Sequence, residues 1–345
     1  MNKIKKSFGY CVLLLLVITF SGCTFTGSPR PRPGCYATSG ANFCDVNSLG
    51  RHNYTAFIGE NDGIVYTCRG GHIDLAHLRI GADNTHYLYN KVSKHLKSGD
   101  TDFTYGLGKT IDPSVFKVHI TYPANFKLLP ESERQKIIDE VSLEAGQYFT
   151  WQMVTWHEAL TWFGLKAFLF ASQFHSAFAW EDSYSNLMGT IVGAKAIRRS
   201  GNFNDAMTVA LKEELILLGA QSADVSYYAS EKMRGTWYEG SISTKMLLRG
   251  MDIGLGDGTV TPALVPDICS QEQPMNYPVP TLDTAKRYGF TVDLEIKVNG
   301  FGGNRCLKSI YAGGRRGIVI PAIHLPAIME CIQGQAVEKG YTVMR

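Results

Sequence analysis

The chain has 345 residues, 45% of them apolar and 11% aromatic, enough to bury a substantial core and to exclude intrinsic disorder over most of its length. Its formal charge of +3 arises at the start: without residues 1–22 it carries 31 basic and 31 acidic side chains. The longest basic features left are the pairs Arg198-Arg199 and Arg315-Arg316. Such a chain lacks the clustered cations that nucleic acid requires, so no nucleic-acid partner is expected.

Lys3, Lys5 and Lys6 precede an uncharged apolar run, and the run ends at Phe20-Ser21-Gly22-Cys23. A basic start, an apolar stretch and small residues before a cysteine form an export signal over 1–22. The tetrapeptide resembles the lipobox of bacterial lipoproteins, which implies lipidation of Cys23, and Thr24 in place of Asp implies the outer membrane, facing the periplasm. No later segment approaches the roughly 20 apolar residues of a spanning helix. The expected membrane contact is therefore the N-terminal lipid; the competing reading is an uncleaved anchor helix over 7–22. Residues 23–34, rich in Pro and Gly, suit a stiff tether ahead of one globular domain at 35–345.

Six cysteines remain after Cys11 and Cys23: Cys35, Cys44, Cys68, Cys269, Cys306 and Cys331. An even number in an exported chain favours disulfides. The sequence leaves the pairing open, but pairing all six requires at least one bridge between the two ends of the chain. The absence of any CxxC argues against a zinc ribbon and a thioredoxin-type site.

Along the chain, 55–58 and 64–68 flank Asn61-Asp62-Gly63 and predict a hairpin. Period-two alternation at 116–122 and 290–298 predicts half-buried antiparallel strands. Between them, Phe149, Met153, Trp156, Leu160 and Phe163 recur at intervals of four and three, predicting a long amphipathic helix within 131–164. Further helices are expected at 73–96, 182–199, 204–218 and 325–339, with an irregular stretch at 254–280. Strands at both ends around a helical middle describe an α+β single domain.

Three segments carry residue types that bind metals or move protons. In the first, Asp74 and His77 are three apart and share a helical face, so the carboxylate could share a metal with the imidazole or orient it. The alternative is an acid near a helix N-terminus beside a satisfied histidine. The second holds His157 and Glu158. An HExxH metallopeptidase would need a second histidine at 161, where this chain has Thr161, so that enzyme type is not supported. His157 could still ligate a metal, or be a hydrogen-bonded structural residue. The third places Glu181, Asp182 and Asn186 at a helix start, as oxygen ligands, as acid and base, or as cap and solvated flank. Elsewhere, the segment 252–258 has glycines where an EF-hand needs oxygen ligands, and neither a Gly-x-Ser-x-Gly elbow nor a phosphate loop occurs.

Gly71, Ile73, Asp74, His77 and Arg79, then Trp156 to Trp162 and Glu181 to Asn186, carry a further signal. Across most of its length after the tether the chain resembles an uncharacterised family of bacterial putative lipoproteins with a domain of unknown function, a resemblance that implies no reaction. Taken together the residues predict an envelope-anchored, metal-assisted hydrolase. Its ligands would be Asp74, His77, His157 and Glu181 around a divalent metal such as zinc, with Glu158 as general base and Asp182 in support. The alternative is a non-catalytic envelope lipoprotein acting as a structural or partner-binding module.

Overall fold

A computed structural model describes residues 27–108, 112–167, 171–172, 174–240, 244–311 and 317–344. The export signal expected at 1–22 and the lipidation expected at Cys23 fall outside the described residues. Among the described residues, eight α-helices and short strands in small sheets give the expected α+β architecture. One apolar cluster runs from Cys44 to Ala336 and joins strands and helices from both ends of the chain.

Three helices form the centre: α1 (Leu75–Ser98), α2 (Glu131–Trp162) and α3 (Asp182–Ile197). Glycines bring their backbones into contact. A Cβ on Gly189 would stand 2.1 Å from Leu78 O, one on Gly81 2.4 Å from Asn186 O, and one on Gly193 2.8 Å from Ala82 Cα. His77 lies at Asp182 and Ala82 at Gly193, so α1 and α3 run in the same direction, with their N-termini at the same end. Gly146 of α2 lies against the turn of α1 at Thr85 and Tyr89. These helices fix the candidate site; α4 (Phe203–Leu217) packs on α3.

The alternating segments form Val115–Thr121 and Thr291–Lys297, paired antiparallel with Val118 opposite Leu294. Phe116, Val118 and Ile120 are buried and Lys117, His119 and Thr121 are exposed, as period two requires. Asp102–Tyr105 and Ile318–Val319 complete a four-stranded sheet. Its Tyr105 hydroxyl donates to Phe149 O of α2 at 3.3 Å. One pair is parallel: Thr342–Met344 with Leu248–Gly250.

The N-terminal hairpin differs from expectation. Ile64–Thr67 pairs with Gly71–Asp74 downstream, through a turn at 68–70 that Gly71 leaves at φ +66°, and residues 53–60 form a loop. Asn61-Asp62-Gly63 serves other ends: Asp62 accepts from Arg79 Nη1 at 2.7 Å, and a Cβ on Gly63 would meet Asn42 O at 2.3 Å. α5 (Ala223–Lys232), α6 (Asp283–Arg287) and α7 (Gly300–Ile310) were not expected from periodicity. The last helix, α8 (Pro321–Glu338), begins four residues early with Pro321 at its start, where a missing N–H costs nothing.

The stretch expected as a tether packs into the body. Arg30 and Arg32 are buried and both pair with Glu60. Arg32 also reaches Asp83 at 2.9 Å, and His52 lies 2.8 Å from the same carboxylate. A disulfide, Cys68–Cys269, joins the two halves of the chain across 201 positions. Pairing does not extend to Cys44, Cys306 and Cys331, which are thiols. Burial pushes Cys44 up to about 11 and Cys306 to about 12. Among the described residues no helix is long and apolar enough to cross a membrane.

Candidate metal centre

Asp74 is the last residue of its strand and the N-cap of α1, its Oδ1 accepting from Ala76 N at 2.7 Å and from His77 N. A short acid suits this place because it satisfies backbone donors that the helix leaves open. One turn later, His77 turns Nδ1 back to Asp74 Oδ2 at 2.7 Å and to Asp182 Oδ1 at 3.3 Å. Asp182 opens α3, so the parallel packing of α1 and α3 delivers both carboxylates to one imidazole. Ligand atoms of Asp74, His77 and Asp182 lie within 4.8 Å of one another, a buried triad that could hold a metal ion.

Two more carboxylates border the triad. Glu158, near the end of α2, is buried and accepts from Phe178 N at 2.9 Å. That bond holds Phe178 at φ +55°, a left-handed conformation uncommon for a bulky side chain. Glu181 Oε1 accepts from Ala37 N at 2.6 Å. Its buried Oε2 has no hydrogen-bond donor, and Asp182 Oδ1 faces only the His77 Nδ1 that lies closer to Asp74. Asp182 Oδ2 accepts from Ala179 N at 2.9 Å.

The electrostatics follow from this crowding. Burial raises Asp182 well above the usual carboxylate range; His77 opposes it, and Glu158, Glu181 and Asp74 add to it. Burial likewise pushes Glu181 up to about 8, against the Ala37 N–H and with the charge of Asp74. Burial alone would lower His77, but Asp182 and Asp74 outweigh it and hold the imidazole well above its ordinary value. The cluster therefore stores protons at neutral pH, in competition with any cation.

The segment ahead of the first strand forms the wall. Gly34 lies so close that a Cβ would sit 2.5 Å from His77 Cε1, and Cys35 N donates to Asp74 Oδ2 at 2.8 Å. Tyr36 stands near enough for Asp182 and Glu181 to join burial in raising its phenol. Only an edge of His77 reaches the surface, with 20% of its side chain exposed.

Of the residues expected from sequence, Asp74, His77 and Asp182 converge, and Glu158 and Glu181 border them. His157 does not join the convergent set: it is one position from Glu158, about 100° around α2, and its buried Nδ1 has no hydrogen-bond partner. Asp182, expected in support, supplies a triad oxygen, while Glu181, expected as a ligand, spends one oxygen on Ala37 N. Sequence gave no sign of the backbone donors at Cys35, Ala37 and Phe178, because an N–H carries no residue-type signature. Ser185, whose Oγ accepts from Asp74 N at 3.0 Å, lay within the third segment but drew no attention there.

The donor set is two carboxylate oxygens and one imidazole nitrogen, with no thiolate among them. No curated protein and no solved structure matches the chain. The family described as "Protein of unknown function (DUF4056)" matches residues 38–265, which contain all five clustered acidic and histidine side chains. That match spans most of the chain, and the protein belongs to this family.

Proposed function

We propose that Asp74, His77 and Asp182 hold a divalent cation, zinc or manganese, and that the protein is a metal-assisted hydrolase of the bacterial envelope, tethered through lipid on Cys23. The observation that carries this reading is the imbalance of buried charge. Four carboxylates surround one imidazole, Glu181 Oε2 has no donor, and Asp182 Oδ1 has only the nitrogen that His77 already turns to Asp74. Protons or a cation must supply the missing positive charge.

A cation bound here would supply Lewis-acid charge for polarising a substrate carbonyl or phosphoryl group. Glu181, with its pKa pushed up to about 8, is suited to carry a proton to or from a reacting group near neutral pH. Glu158, pinned by Phe178 N, contributes negative charge beside His77 and retains one oxygen as a base candidate. The parallel N-termini of α1 and α3 favour the ionised carboxylates once a cation has displaced their protons.

A non-catalytic envelope module is favoured by the close cover of residues 34–37 over His77. Metal analysis of protein purified without chelator, beside His77→Ala and Asp182→Asn, separates the two readings. Near one equivalent of metal in the wild type and little in either variant supports the cation site. Metal-free wild type that also fails to take up zinc or manganese would leave the cluster as a structural proton store.

A further inference from the structure

We propose that the loop at residues 53–60 is a membrane-contact surface, whose tip residues Phe57 and Ile58 enter the outermost layer of a lipid bilayer. The proposal goes beyond the cation site and rests on the lipid anchor proposed at Cys23 for a membrane held close to the loop.

Phe57 is 65% and Ile58 73% exposed. Single exposed apolar side chains are ordinary, but two large successive ones at the tip of a well-bonded loop are not explained by the fold. The loop is firmly built. Asn53 Oδ1 accepts from Thr55 N at 3.1 Å and Ala56 N at 2.9 Å, and Arg51 N donates to Gly59 O at 2.8 Å. Tyr54 N donates to Asn204 Oδ1 of α4 at 3.1 Å. These bonds hold the tip outward, whereas a slack loop would fold its apolar residues inward.

The first described residues lie against this loop. The Tyr54 hydroxyl donates to Gly27 O at 2.7 Å, Arg30 N donates to Tyr54 O at 3.1 Å, and the Arg30 guanidinium stands 4.9 Å from the Phe57 ring centre. Four peptide steps separate Gly27 from Cys23, a covalent reach of at most about 14 Å. An acyl chain on Cys23 must enter the bilayer within that distance of the loop. Anchor and loop together form two adjacent attachments, which fix orientation as a single flexible tether cannot.

The test uses the full-length protein extracted from membranes and reconstituted into vesicles of phosphatidylethanolamine and phosphatidylglycerol bearing a photoactivatable diazirine on the acyl chain. Lipid adducts should map to the peptide containing residues 53–60. The double variant Phe57→Ser/Ile58→Ser should give about tenfold fewer adducts there with an unchanged circular dichroism spectrum, since the transfer of two large apolar side chains is lost. Ile58→Lys provides a second, independently folding check with the same expected loss. Adducts absent from 53–60, or equally abundant in the variants, would overturn the proposal. The intact mass of the same sample reads acylation of Cys23 separately. Adducts at 53–60 without acyl mass would support the loop and remove the anchor, and acyl mass without those adducts would do the reverse.

Discussion

Nδ1 of His77 lies 2.7 Å from Oδ2 of Asp74, and the same oxygen also accepts the Cys35 N–H at 2.8 Å. One carboxylate therefore caps α1, holds the imidazole and fastens the chain that covers it. Asp74→Ala should remove all three functions and leave buried donors unpaired. The expected cost is about 1–3 kcal/mol in unfolding free energy, measured by urea denaturation of the metal-free protein. Asp74→Asn keeps one acceptor for the α1 cap but turns an amide NH2 to the Cys35 N–H, so it should lose the second and third functions and only part of the stability.

The metal-free protein should lose stability as pH rises from about 6.5 to about 8. Glu181, pushed up to about 8, and His77, raised well above its usual value, bind protons more tightly folded than unfolded, so their contribution is present at the low end and lost as pH rises. His52, raised by Asp83 and Glu60 against burial, acts in the same direction. His72 and His86, lowered by burial to about 3 and about 4, act oppositely only below their unfolded values, outside this window. Thermal midpoints in a chelator should fall across the window. Glu181→Gln should flatten the slope, and excess zinc should reverse it because the metal displaces those protons.

Gly189→Ala tests the helix contact that assembles the site. The added methyl would meet Leu78 O at 2.1 Å, so α1 and α3 must separate. A cost of about 1–3 kcal/mol or more is expected, together with weaker metal uptake because Asp182 moves from His77. Loss of stability with unchanged metal affinity would show that the centre does not depend on this packing.

Arg32→Ala should leave Glu60 to Arg30 and Asp83 to His52, with one buried cation fewer between the two carboxylates, at a cost of about 3–5 kcal/mol. Because Arg32 also fixes the chain leading to Gly34, the variant should uncover His77. Diethyl pyrocarbonate should then modify His77 faster than in the wild type, as read by peptide mass mapping under conditions where the variant remains folded.

Much of this architecture was legible because burial writes a period into sequence. The alternation at 116–122 and 290–298 and the stripe from Phe149 to Phe163 identified the sheet and α2, and residue types at 74–77 and 181–182 identified the acidic cluster. Other features leave no such mark. Asn61-Asp62-Gly63 has turn chemistry, but its Asp pairs with Arg79 and its Gly yields to Asn42 O, so the hairpin partner was misplaced. Pro and Gly at 27–34 suit an open tether, yet Arg30 and Arg32 find carboxylates distant in sequence, a long-range pairing that composition cannot reveal. His157 resembles a ligand by type and neighbourhood, but a one-residue offset on α2 turns it away from the direction that Glu158 takes.

Crystals soaked in zinc or manganese, with anomalous diffraction recorded at the metal edge, test the central claim most directly. A single strong peak is predicted among Asp74 Oδ2, His77 Nδ1 and Asp182 Oδ1, about 2.0–2.2 Å from each, and it should vanish in Asp182→Asn. No peak at these atoms, or a peak that persists in Asp182→Asn, would contradict the account.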